Sequence, residues 1–345
     1  MIRLFVGAMT CSLFAGWGYA DNTSSVVRRC EIVPLPGHQV SFQIDGVEKT
    51  RWRHGAEYPR PFFYPFNGPS GVSLTRMGHP GAPNHDHHRS VWIAHNSIDG
   101  ADFWSDTTEN QIRQKAWQCY RDGDDESIMA VNTGWYDNTG KVLMQHEMVV
   151  ALIPLENDEY ALEFQLTLRP ADGREQITLG KTNFGFLAIR VAKSVSAYFG
   201  EGTITNSDGL TNEASVFGKR AKWVDYSGPI TVGVGSNRKT VTEGITCFDH
   251  PSNPRYPTYW HVREDGWMGA SFGMKEPYTI EHAHPLTLRY LLHAHSGEYS
   301  HHVAERVHQA FAKRPPFKVS KATTKHNQYE VSRIESNPVA DATAE

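Results

Sequence analysis

The feature that most constrains this sequence is an alternation of apolar and polar residues that recurs through the body of the chain. The segment 160–169 (YALEFQLTLR) places leucine or phenylalanine at every second position, with Glu163, Gln165, Thr167 and Arg169 between them. A period of two residues is that of a β-strand with one buried face and one face in water. The same alternation recurs at residues 40–44, 230–234 and 287–295.

Turn-forming residues separate these segments, and helical patterns are scarce. Clusters of Asp, Asn and Gly at 122–124, 137–140 and 172–173 are typical of hairpin connections. One helix is predicted over Ser300–Lys313, with apolar residues at four-residue intervals, Ser300 as its N-cap and two prolines after its end. The pattern predicts a mainly β fold, a large antiparallel β-sandwich with a short C-terminal helix.

The 345 residues divide into three predicted segments. Residues 1–20 combine Arg3 with an apolar stretch and small residues before Asp21, which indicates a secretory signal peptide. Residues 21–320 contain no linker and are predicted to form a single β-sandwich domain, followed by a polar, mobile tail over 321–345. We therefore expect an exported protein, periplasmic or extracellular.

Charge and cysteine content exclude several classes of protein. The chain has 34 Lys and Arg against 38 Asp and Glu, without a basic stripe, which argues against nucleic acid as a partner. After the signal, no apolar run is long enough to span a membrane. The mature cysteines Cys30, Cys119 and Cys247 allow at most one disulfide and form no metal-binding pair.

Histidine is the residue in excess, with 18 copies. The first histidine cluster comprises His79, His85, His87, His88 and His95, which lie within seventeen residues. Five imidazoles in so short a span are costly to bury without partners, and titratable groups that converge are typical of functional sites. A strand over 90–94 is expected after a Gly- and Pro-rich loop. An early start of this strand would put His85 and His87 on one side and His88 on the other.

The second histidine cluster comprises His282, His284, His293 and His295. Both pairs have the spacing that places two side chains on one face of a strand, although His293 and His295 also fit a strand end that reaches the surface. A third group of polar and aromatic residues lies between Asp249 and His261. Aromatic faces beside polar groups suit a sugar ring.

Familiar catalytic motifs are not found. The sequence His146-Glu147 lacks the second histidine of a zinc-protease helix, and there is no P-loop, dinucleotide-binding glycine motif or nucleophile elbow. Cupin-like metal sites also begin with two alternate histidines, but the glutamate that they need does not follow His87. Any chemistry must come from a less common arrangement.

Several motifs together resemble the PmoA-like family of exported bacterial proteins, labelled "methane oxygenase PmoA". They are FNGPSGVSLTR at 66–76, HDHHRSVW at 85–92, DGADFW at 99–104, Leu179-Gly180 with NFGFLAIR at 183–190, and HPSN with PTYWH between 250 and 261. The resemblance covers roughly residues 40–313. The chain departs from it at Asp86, where the family more often has proline. At the level of fold, the chain also resembles the galactose-mutarotase-like supersandwich.

The leading hypothesis is an exported enzyme that binds a small-molecule or oligosaccharide substrate in a sandwich cleft and modifies it by histidine acid/base chemistry. It would be an isomerase, lyase or hydrolase that requires no cofactor. The predicted catalytic residues are His87, His88, His261 and Asp249. The predicted substrate-binding residues are Arg89, Asn183, Arg190, Trp92, Trp104 and Trp260.

Two alternatives remain open. In the first, which the family label implies, the protein is a metal enzyme or metal binder with Zn, Cu or Fe held by His85 and His87 together with His282 or His284. In the second, it is a non-catalytic glycan-binding or envelope protein. A site requires convergence, so the decisive question is whether the two histidine clusters meet in the fold.

Overall fold

The computed structural model describes residues 27–79 and 81–334. In chain order the first strands are β1 (Cys30–Leu35), β2 (Gln39–Ile44), β3 (Val47–Arg53), β4 (Phe62–Phe66), β5 (Val91–His95), β6 (Gln111–Arg121), β7 (Ser127–Tyr136), β8 (Val142–Pro154), β9 (Tyr160–Pro170) and β10 (Gln176–Leu179). The later strands are β11 (Gly185–Arg190), β12 (Thr203–Asn206), β13 (Trp223–Val232), β14 (Lys239–Asp249), β15 (Trp260–Arg263), β16 (Trp267–Ala270), β17 (Tyr278–Glu281), β18 (Leu286–Ser296), β19 (Phe317–Lys321) and β20 (Tyr329–Arg333). The α-helices are α1 (Asn212–Val216) and α2 (His301–Lys313).

Two eight-stranded antiparallel sheets form a sandwich, which confirms the predicted fold class. The first sheet has the order β1-β2-β3-β4-β5-β11-β16-β15, and the second has the order β12-β13-β14-β18-β9-β8-β7-β6. One cluster of buried apolar side chains draws on both sheets. Within it, the rings of Phe63 on β4 and Phe164 on β9 meet edge to face at 5.4 Å. The alternation of apolar and polar residues therefore has the expected result, because the apolar face of each sheet packs against the apolar face of the other sheet.

The first half of the polar face of β9 is covered, although the alternation predicts that it lies in water, whereas Arg169 near the end of the strand is exposed. Glu163 is completely buried, and Gln165 is nearly so. Gln165 bonds the backbone N–H and C=O of Phe317, and Glu163 accepts hydrogen bonds from Arg289, Arg314 and Arg333. Segments after residue 300 cover this face, and a local pattern contains no information about distant segments that pack on it.

The same segments correct the predicted start of the tail. Residues 317–333 form an antiparallel hairpin of β19 and β20, so the ordered chain continues well past 321. Val331 packs with Ile128 and Val149 of the second sheet. Tertiary contacts stabilise a segment that is too polar to be recognised as a strand. The remainder of the predicted tail, 335–345, lies outside the described residues.

The C-terminal helix is confirmed as α2, and the side-chain oxygen of Ser300 accepts a hydrogen bond from the Val303 N–H, as expected of an N-cap. The three cysteines in the described part of the chain are free. Within that part, no helix is long and apolar enough to cross a membrane. The predicted signal peptide lies outside the described residues.

Candidate functional site

Four members of the first histidine cluster, His79, His85, His87 and His88, lie in the loop before β5, and the fifth, His95, is the last residue of that strand. A 3-10 turn spans Pro83–His85, and the N–H of His88 donates to the carbonyl of His85 at 3.0 Å. Strand β5 begins at Val91, close to the expected start at residue 90, so the early start that would have given these histidines two alternating faces does not occur. The turn instead gathers the imidazoles: the ring of His88 lies 5.1 Å from that of His85 and 4.3 Å from that of His87.

Beside this loop is a cavity of about 390 Å³ at the end of the first sheet where β5, β11, β16 and β15 are neighbours. Its lining combines imidazoles, aromatic rings and paired charges. The lining residues are Asn84, His85, His87, His88, Asn96, Asp102, Trp104, Ser105, Phe184, Arg190, His261, Arg263, Asp265 and Trp267. We refer to this cavity as the histidine pocket. A larger groove between β6 and the C-terminal hairpin contains no member of either histidine cluster.

His261 reaches the pocket from β15 and is held in one tautomer. Its Nδ1 lies 3.2 Å from the carbonyl oxygen of Asn183. Because a carbonyl only accepts, Nδ1 must carry the hydrogen, which leaves Nε2 with a free lone pair. That Nε2 is buried and has no hydrogen-bond partner. Burial lowers the pKa of His261 to about 4, so the imidazole is neutral at physiological pH.

His87 and His88 are also neutral. Burial, together with the positive charge of Arg60, lowers the pKa of His87 to about 4. Burial and the neighbouring His87 hold the pKa of His88 far below its ordinary value. The Nδ1 of His88 is buried without a partner, and its ring stacks on that of Trp92. The loop therefore offers neutral hydrogen-bonding groups at physiological pH, and not imidazolium cations.

The hydrogen bonding of the buried tryptophans also indicates the histidine pocket as a ligand site. Seven tryptophans are buried in the described part of the chain. Four of them have a partner for the indole N–H: Trp52, Trp135, Trp223 and Trp260. The three without one are Trp92, Trp104 and Trp267, whose rings lie 5.2 to 5.4 Å apart. Buried polar groups in proteins are nearly always satisfied, so unpaired donors that converge on one cavity indicate a ligand site.

Each charged side chain of the lining already has a partner in the protein. The Arg190 guanidinium, which is inaccessible to solvent, donates two hydrogen bonds to Asp265 at 2.8 and 3.1 Å. His79 reaches the same carboxylate through Nε2 at 3.0 Å. Arg263 is paired with Glu213, and Asp102 accepts the backbone N–H groups of Trp104 and Ser105. Arg190, predicted to bind substrate, thus lies in the pocket with its charge already neutralised.

Asp249 and Trp260, both predicted site residues, lie elsewhere. Asp249 is buried under the loop that follows β14, where it accepts hydrogen bonds from Asn253 and from the Thr258 N–H, both at 2.7 Å. Burial raises its pKa to about 7. The indole of Trp260 donates to the carbonyl of Ala221 in the core. Adjacent strand residues point to opposite faces, so His261 enters the pocket and Trp260 does not.

Three further predicted residues surround the pocket without lining it. Arg89 pairs with Asp106 and lies over the ring of Tyr58. Trp92 lies behind His88, and Asn183 contributes the backbone carbonyl that orients His261. Trp92 and Asn183 therefore support groups that do reach the cavity, whereas Arg89 contacts two residues that do not line it.

The two histidine clusters do not meet. His282 and His284 lie in the exposed turn after β17, where His284 contacts Glu281 at 3.1 Å. His293 and His295 are buried on β18 against Glu159 and Asp225, beside a separate cavity of about 60 Å³. The predicted metal set is therefore not assembled. Residues 27–79 and 81–334 contain no group of three or more His, Cys, Asp or Glu arranged to hold a metal ion.

Sequence reasoning missed Trp267, Asp265 and Phe184. Trp267 and Asp265 belong to the short hairpin of β15 and β16, in which His261 pairs with Gly269. An aspartate-glycine turn between two aromatic strands marks this hairpin in the sequence, but nothing local indicates that it adjoins residues 85–88. Phe184 immediately follows the predicted Asn183, and its ring lies 5.1 Å from that of His261.

Comparison with known proteins gives a family without an assigned activity. A family model described as "family of unknown function (DUF6807)" matches residues 39–309. The chain belongs to this family. The description mentions neither methane nor oxygenase, so the resemblance to the PmoA-like family remains a prediction. No curated protein sequence matches the chain.

Among solved structures, the crystal structure of 4-alpha-glucanotransferase from Thermococcus litoralis matches 79% of this chain with 11% sequence identity and a TM-score of 0.28. The match covers 40% of that enzyme's chain, so this protein corresponds to less than half of its length. A likeness this low carries no argument about activity. The predicted supersandwich relationship also remains a prediction.

Proposed function

We propose that the histidine pocket binds a sugar unit and that its histidines modify the sugar by acid/base chemistry. The observation that carries the proposal is the convergence of unpaired polar atoms of Trp104, Trp267 and His261 with aromatic faces around one cavity. Aromatic rings pack against the C–H faces of a sugar, and inward-facing polar atoms bond its hydroxyls.

Acid/base roles follow from the unpaired atoms of residues that line the pocket. His261 Nε2, with its lone pair free, is the proton acceptor for a sugar hydroxyl. His87 or His88 is the proposed proton donor. Because both are neutral at physiological pH, the donor first takes up a proton, from solvent or passed on from His261, and then returns it to the substrate. The product is an isomerised, eliminated or hydrolysed sugar, in a protein that we propose is exported. This mechanism routes no step through a metal, because the residues predicted to bind one are not gathered in the described part of the chain.

The experiment is incubation of the protein with a panel of mono- and oligosaccharides, with product detection by NMR. We expect a new product with the wild type and loss of turnover by at least about a hundredfold in the double variant His87→Ala, His88→Ala, since general acid/base groups contribute 10²–10⁴-fold. The matched control is His301→Ala, His302→Ala, which removes two exposed imidazoles at the start of α2.

Full turnover in the first double variant would contradict the acid/base roles. If a sugar binds saturably and is recovered unchanged, the protein is a glycan-binding protein and the enzymatic part of the proposal is contradicted. Absence of binding by every sugar in the panel would remove the proposal altogether.

A further inference from the structure

We infer that the histidine pocket selects an uncharged sugar, whose hydroxyls are held between the indole N–H groups of Trp104 and Trp267 and the bare Nε2 of His261. This inference rests on the proposed function and deepens it by naming the charge class of the ligand and the atoms that hold it.

The side chains that line the pocket carry no net charge. Its ionised side chains are two arginines, Arg190 and Arg263, and two aspartates, Asp102 and Asp265, which sum to zero. Each is already engaged: Arg190 with Asp265, Arg263 with Glu213, and Asp102 with two backbone N–H groups. Both arginines of the lining already have a carboxylate partner, so a carboxylate group on the ligand would enter without a free counter-charge, and its desolvation would oppose binding.

The unpaired atoms of the lining include both hydrogen-bond donors and an acceptor. Trp104 Nε1 and Trp267 Nε1 can only donate hydrogen bonds. His261 Nε2 can only accept, because Nδ1–H is bonded to the Asn183 carbonyl. The rings of His261 and Trp267 lie 5.4 Å apart. A hydroxyl is the simplest neutral group that accepts from an indole and donates to an imidazole at the same time.

Nearby cations outside the lining do not change this selection. Arg76 donates to the backbone carbonyl of Asp265 and lies over the ring of Phe199, and it is not among the pocket residues. Arg60 and Arg89 share the carboxylate of Asp106. Arg60 and Arg89 thus have a carboxylate partner. The Nε and Nη1 of Arg76 are buried without a hydrogen-bond partner, so this guanidinium is separated from the ligand by its position outside the lining.

The test compares two neutral sugars, D-glucose and D-galactose, with D-glucuronate and D-galacturonate, which have the same rings and one carboxylate. Binding is followed at neutral pH by ¹H–¹⁵N spectra of the indole and imidazole groups, assigned with Trp104→Phe, Trp267→Phe and His261→Gln. We expect the free protein to show His261 protonated on Nδ1. A neutral sugar should shift Nε2 and the indole signals of Trp104 and Trp267.

Two sets of controls belong to this test. The indole signals of Trp52 and Trp260, which already have partners, should not move. Trp267→Phe should weaken neutral-sugar binding roughly three- to tenfold, the effect of one hydrogen bond, whereas Trp117→Phe in the groove beside β6 should leave it unchanged.

The outcomes separate the two proposals. Tighter binding of either uronate than of its neutral counterpart overturns the selection of an uncharged sugar, while the proposed function stands. Binding without shifts at Trp104, Trp267 and His261 overturns the assignment of the contact atoms. Absence of binding by all four compounds and by the wider panel contradicts the proposed function, and with it this inference.

Discussion

Burial holds most histidines of this protein in the neutral form. Ten of the 18 have a pKa below its ordinary value, with burial as the largest cause. They are His54, His85, His87, His88, His95, His146, His250, His261, His293 and His308. The excess of histidine in the sequence is thus largely an excess of buried neutral imidazole.

This burial predicts loss of stability in mild acid. Between pH 6.5 and about 4 the unfolded chain binds protons that the folded protein does not, so the free energy of unfolding falls as the pH falls through this window. Asp249 and His295, whose pKa values are raised, act in the opposite direction but are outnumbered. Each pKa unit corresponds to ~1.4 kcal/mol, so we expect a loss of several kcal/mol.

Urea unfolding measured from pH 7.5 to pH 4.5 tests this expectation. The variant His302→Gln, at an exposed position on α2, should retain the same pH dependence. A free energy of unfolding that stays constant over this range would show that the histidines are solvated.

Asp265 is the residue on which the charge balance of the pocket depends. Replacing it by asparagine leaves the Arg190 guanidinium buried without a counter-charge, and we expect a loss of roughly 3 kcal/mol in the free energy of unfolding. The matched control is Asp45→Asn, which breaks the exposed Asp45–Arg29 pair and should cost less than ~1 kcal/mol. Both free energies of unfolding are measured by urea denaturation. Equal effects of the two substitutions would contradict the role of Asp265 as the counter-charge of the buried Arg190.

At the scale of elements, the C-terminal hairpin of β19 and β20 is fastened to β9 through Glu163. This carboxylate accepts hydrogen bonds from Arg289, Arg314 and Arg333, and no part of it reaches solvent. Burial by itself would raise the pKa of Glu163, but the three arginines outweigh it and hold the pKa below its usual range. The hairpin is therefore secured by an ion network and not by apolar area alone.

The substitution Glu163→Gln should release the hairpin. Three guanidinium groups lose their shared counter-charge, so we expect a loss of about 3–5 kcal/mol in stability and faster hydrogen exchange in residues 317–333. Glu330→Gln, an exposed position on β20, serves as the control. Unchanged exchange in the hairpin of the Glu163 variant would mean that apolar packing around Val331 is sufficient.

Element order also explains how the pocket is assembled. Strand β11 lies between β5 and β16, and β15 pairs with β16, so residues near 88, 190 and 261 become neighbours in one sheet. Hydrogen bonding between strands places His261 opposite Gly269 and Trp92 opposite Ala188. Trp92 and Ala188 lie roughly a hundred residues apart in the sequence, and the successive pairings bring strands this distant into one sheet.

At the scale of the whole molecule, the two sheets share one apolar core, so we expect them to unfold together. Phe164→Ala on β9 removes the ring that contacts Phe63 on β4 and should cost about 3–5 kcal/mol. Pulse-labelled hydrogen exchange in urea should give the same midpoint for peptides from β11 and from β8, in the wild type and in this variant.

Val234→Ala, at a position that is 87% exposed, is the control and should leave the midpoint in place. Separate midpoints for the two sheets would indicate two folding units, contrary to the predicted single domain.

The sequence by itself determined the local structure of this protein and the neighbourhood of its candidate site. The alternation at 160–169 and the spacing in 300–313 predicted β9 and α2, because backbone geometry fixes which side chains share a face. The density of imidazoles predicted that residues 85–88 belong to a site. His261, predicted as catalytic, and Arg190 and Trp104, predicted to bind substrate, are among the residues that line the pocket.

Only the tertiary structure decided which polar residues face one another. It placed Asp249 under a loop, kept the second histidine cluster away from the first, and brought Trp267 and Asp265 to the pocket. It also covered the polar face of β9 with segments from the C-terminal end of the chain. The physical reason is that periodicity records the two faces of a strand, whereas burial, pairing and convergence depend on strands that are distant in sequence.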